Sequence, residues 1–127
     1  TLPNDQEMLE EALQNPGFFG HTIIAYVWAH RIRDIMTDQQ WQTMRYNLTV
    51  LMRWHEFGES PKRVEALSED WTVSKFDQQL TAYFPEGPTN IHQITLADAL
   101  ITVWNNHPEH RRLVAANLIC FSSRSSP

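Results

Sequence analysis

Thr37 and Gln40 stand three residues apart, directly after a proline-free segment of helical period, and this junction limits the folds open to the chain. A hydroxyl followed three residues on by a side-chain amide satisfies reciprocally two N–H groups that a helix start leaves unpaired. The segment before it, Phe18 to Met36, has no internal proline, and Gly20 is its one weak point for a helix. After it, Trp41, Met44, Leu48, Leu51 and His55 recur every three or four residues until Gly58, a residue suited to a left-handed stop. With almost no loop between them, two long helices are expected to fold back as an antiparallel hairpin. Thr22 to Trp28 is rich enough in β-branched residues to compete as a buried strand. The length of the segment and its polar continuation, His30 to Asp34, favour helix.

Similar punctuation recurs elsewhere. Asn4 with Glu7 forms a capping box ahead of the apolar face Met8, Leu9, Ala12 and Leu13. Asn15-Pro16-Gly17 closes that helix, and Pro16 also suits the first position of the next, with Asn15 as its cap. Ser60-Pro61 predicts a brief helix reaching Leu67, and Ser74 with Asp77 opens one that carries Phe76, Leu80, Tyr83 and Phe84. Thr95 with Asp98 is expected to cap a helix bearing Leu96, Leu100, Ile101, Val103 and Trp104. Pro108 starts the last, with Leu113, Val114, Leu118 and Phe121 inward. The expected architecture is all-α: an irregular helical bundle of about six to seven helices built around the long hairpin. One helical domain is expected over residues 1–121, followed by a flexible polar tail at 122–127.

Composition narrows the function classes. A net charge of −5 and short, separated basic pairs (Arg31 with Arg33, Lys62 with Arg63, Arg111 with Arg112) argue against nucleic acid as a partner. Cys120 is the only cysteine, so neither an internal disulfide nor a thiolate-rich zinc site is available. This suits a reducing compartment, and the cytoplasm is the expected location. No apolar run approaches the ~18 residues of a membrane span. The first residue is Thr1 rather than methionine, which fits a processed or trimmed start. The sequence carries no glycine-rich phosphate loop, dinucleotide fingerprint, nucleophile elbow or calcium loop.

Six histidines and five tryptophans remain. His21 lies sixteen residues before Thr37 and His55 eighteen after it, so equal rise along both arms brings them to similar height. If both face inward, they and Trp54 and Trp28 line a cavity near the open end of the hairpin. His107 and His110, three apart at the start of the last helix, would extend that pair to a metal set of His21, His55, His107 and His110. Imidazole suits zinc, iron, copper or nickel, and facing helices also build haem pockets. Glu10, Glu11, Glu56 or Glu109 could complete such a site. The plainer alternative is that these histidines cap helices and bond backbone carbonyls. His30 and Asp34, four apart, predict a charge-assisted pair on one helix face.

The leading functional expectation is a helical interaction module for a partner protein or a small apolar ligand, without catalysis. A homo-oligomer is compatible with it. The alternative is an enzyme or sensor that binds a transition metal or haem through the histidine cluster.

Overall fold

The computed structural model describes residues 3–16, 20–53, 63–84 and 90–125. These residues form six α-helices, and no strand occurs among them. Thr22 to Trp28 is helical. The chain divides into two compact units, Thr1–Arg63 and Val64–Pro127. Among the described residues no helix is long and apolar enough to cross a membrane.

The first unit holds α1 (Asp5–Gln14), α2 (His21–Arg31) and α3 (Asp38–Arg53), each packed on the other two. The capping box of α1 forms as the sequence implies: the Glu7 N–H donates to Asn4 Oδ1 (2.8 Å) and the Asn4 N–H to Glu7 Oε1 (3.2 Å). Met8, Leu9, Ala12 and Leu13 are fully buried along one face. Asn15 ends this helix, its N–H donating to the Glu11 carbonyl (2.9 Å), rather than starting the next. The second helix begins instead at His21, after Gly20 in the left-handed region at φ 76°, where a β-carbon would be strained. The buried hydroxyl of Thr22 donates back to the carbonyls of Ala12 (3.2 Å) and Asn15 (3.1 Å), fastening the start of α2 to the end of α1.

The expectation that the second helix runs to Met36 is not met. It stops at Arg31, and Arg33–Ile35 tighten into a 3-10 turn, with Ile35 N–H donating to the Ile32 carbonyl (3.2 Å) and Met36 N–H to that of Arg33 (3.0 Å). The tightening leaves the Arg33 guanidinium 4.7 Å over the Trp41 ring and 3.6 Å from Asp5. Thr37 and Gln40 then form their box, at 2.8 and 3.1 Å, and open α3. The inward seam of α3 is Trp41, Leu48 and Met52, while Leu51, expected on that seam, reaches the surface. A true 3.6-residue period carries the buried line from 48 to 52.

The second unit holds α4 (Val73–Tyr83), α5 (Ile91–Asn106) and α6 (Arg111–Ser125), with α4 and α5 both packed on α6. Residues 63–67, expected to be helical, are not: the Leu67 N–H donates to the Arg112 carbonyl of α6 (3.2 Å) instead of closing a turn of its own. The fourth helix is capped by Thr72 rather than Ser74, the Lys75 N–H donating to its hydroxyl (3.0 Å). Asn90 caps α5 through Gln93 N–H (2.9 Å), five residues ahead of the expected Thr95. Thr95 lies inside the helix and spends its hydroxyl on the Ile91 carbonyl (2.6 Å). Phe76 of α4 stacks on Trp104 of α5, with ring centroids 4.3 Å apart and planes 6° from parallel. On α6, every residue from Leu113 to Leu118 is buried.

Candidate interaction surface

The geometry of α2 follows from its composition. Thr22, Ile23, Tyr26, Val27 and Ala29 are buried on one side. Because the helix is apolar nearly all round, the opposite side is left with apolar groups in water. His21 is exposed at its start, Ile24 and Ala25 are half-buried, and Trp28, Ile32 and Ile35 are 47%, 37% and 83% exposed. Positions 21 and 28 lie two turns apart on one face of α2, with Ile32 at its end and Ile35 in the 3-10 turn beyond it. The Arg31 guanidinium lies 5.0 Å from the Trp28 ring centroid, a cation–π contact at the middle of the stripe.

A polar hub fixes the other side of α2. His30 Nδ1 hydrogen-bonds the Tyr26 carbonyl (2.9 Å), and its ring packs 4.0 Å from the Tyr26 ring and edge-on to Trp41 at 5.0 Å. The Asp5 carboxylate then faces three cationic or potentially cationic groups: His30 Nε2 at 3.7 Å, Arg33 Nη1 at 3.6 Å and Arg45 Nε at 3.8 Å. The Tyr26 hydroxyl donates to the Asp5 carbonyl (3.4 Å), and Arg45 Nη2 donates to the carbonyl of Pro3. All three helices of the unit therefore meet at one carboxylate. Asp5 is itself 42% exposed, so each of these pairs contributes no more than ~1 kcal/mol.

The histidine expectations divide. His21 sits on the exposed side of α2 with Trp28, and the inward orientation that a shared imidazole layer requires is not found for it. His55 and Trp54 lie outside the described residues. His107 and His110 do come together, on either side of Glu109: His107 Nδ1 is 3.4 Å and His110 Nε2 4.0 Å from Glu109 Oε1, with ring centroids 6.4 Å apart. The backbone N–H of Glu109 itself does most to hold its carboxyl below the usual range; slight desolvation opposes this, and the His107 hydrogen bond and the charges of His110 and His107 add to the lowering. Among the described residues no three His, Cys, Asp or Glu side chains are arranged to hold a metal ion.

His30 pairs with Asp5, not with Asp34 as its spacing suggested. Asp34 falls in the 3-10 turn, where the four-residue helical spacing no longer keeps two side chains on one face. No local signal marks the true partner, which lies twenty-five positions earlier in another helix. An open groove of about 570 Å³ runs along α4, lined by Val73, Ser74, Asp77, Gln78 and Thr81. It is open to solvent along its length, unlike an enclosed ligand pocket. Comparison of the chain with protein families, with curated proteins and with solved structures found no match.

Proposed function

We propose that this chain is a helical interaction module that docks a partner protein through the outer side of α2, with Trp28 as the anchor. The observation that carries this reading is the half-exposed indole at the centre of an apolar stripe that Ile32 and Ile35 continue. Tryptophan and arginine are enriched among the residues that dominate binding energy at protein interfaces, and a large rigid ring supplies much contact area at little entropic cost. A small apolar ligand has less support, because the groove on α4 is open rather than enclosed. Metal or haem held by the expected histidine set has less still, with His21 turned to the surface and no three-ligand group among the described residues.

The test is site-specific photocrosslinking in the native cell extract, with the reactive group at Ile35 and, as control, at exposed Tyr46 on α3. The expected result is one saturable adduct from position 35, competed away by excess unlabelled protein and lost in Trp28→Ala. An adduct pattern shared by both positions, or one that Trp28→Ala leaves intact, overturns the reading.

A further inference from the structure

We draw no further inference here: the strongest candidate, the isoleucine stripe Ile91, Ile94 and Ile101 left exposed along α5, is an unpartnered apolar face, and nothing in the structure shows what covers it.

Discussion

Both compact units bury apolar side chains between their three helices, but they differ in the feature at which those helices meet. In the first, α1, α2 and α3 converge on the half-exposed carboxylate of Asp5, which faces His30, Arg33 and Arg45 across 3.6–3.8 Å. In the second, the joint between α4 and α5 is a pair of stacked rings, Phe76 on Trp104, with Trp104 almost wholly buried. A half-exposed ionic hub gains little energy but fixes geometry, since screening and solvation cancel most of the attraction. A buried aromatic stack gains its energy from area removed from water, which charge screening by salt does not weaken. Two units of similar size and helix count can therefore respond very differently to the same change of solvent.

The largest effect is expected in the second unit. Trp104→Ala removes a buried indole and leaves a cavity beneath Phe76, and it should cost about 3–5 kcal/mol. Hydrogen exchange read helix by helix should show the loss in α4, α5 and α6; a cost below that of disrupting Asp5 would reverse the contrast. Next is Asp5→Asn, expected to cost about 1–2 kcal/mol in low salt and clearly less in 1 M salt, where the Debye length falls to ~3 Å. Urea denaturation at both salt concentrations decides it, and a penalty that salt does not change would show that the hub is not electrostatic.

A smaller effect sharpens the comparison from the other side, because the second unit also has one charged corner. The folded-state pKa of Glu109 is depressed, so the stability it contributes is present above the unfolded carboxylate value of ~4.3 and disappears as pH falls through the lower folded value. Wild type should therefore exceed Glu109→Gln in stability at neutral pH, with the gap closing in acid. Stability curves for the pair that run parallel from neutral pH down to pH 3 would remove this contribution. A modest change in stability is expected for Trp28→Ala, about 1 kcal/mol, because the ring is half in water already. Calorimetry beside the crosslinking assay would show a binding residue as one that loses its adduct and keeps its melting temperature.

What the sequence disclosed follows the range of the interactions concerned. The boxes at Asn4–Glu7 and Thr37–Gln40 were legible because donor and acceptor are three residues apart and need no tertiary partner. The same rule misplaced the start of α5, since Thr95 and Asp98 offer the box spacing inside a helix that Asn90 had already opened. The early end of α2 was hidden because it coincides with tertiary contacts: Arg33 is engaged by Asp5 and Trp41, residues from two other helices. The candidate surface was half legible. The sequence places Trp28 at an interior cavity, but a helix apolar on all sides gives no indication of which side meets solvent, and the ring is half exposed. The spacing of His30 points to Asp34, its neighbour in sequence, instead of Asp5, its partner in space.

The unbroken burial of α6 from Leu113 to Leu118 has a consequence for how that helix finds its angle. An amphipathic cylinder is oriented by its water-loving side, but this stretch has none, and turning it about its own axis would expose no charge. Within this stretch the rotational setting comes from shape, the small Ala115 and Ala116 allowing close approach where Leu113, Leu118 and Phe121 would collide, while Arg111 and Arg112 hold the start of the helix through the Trp104 carbonyl and Asp70. Asn117 is the one polar side chain in the stretch, and its amide donates to the Leu113 carbonyl one turn back (2.9 Å). Substitutions that keep α6 greasy but redistribute its bulk would therefore preserve the helix and lose its orientation.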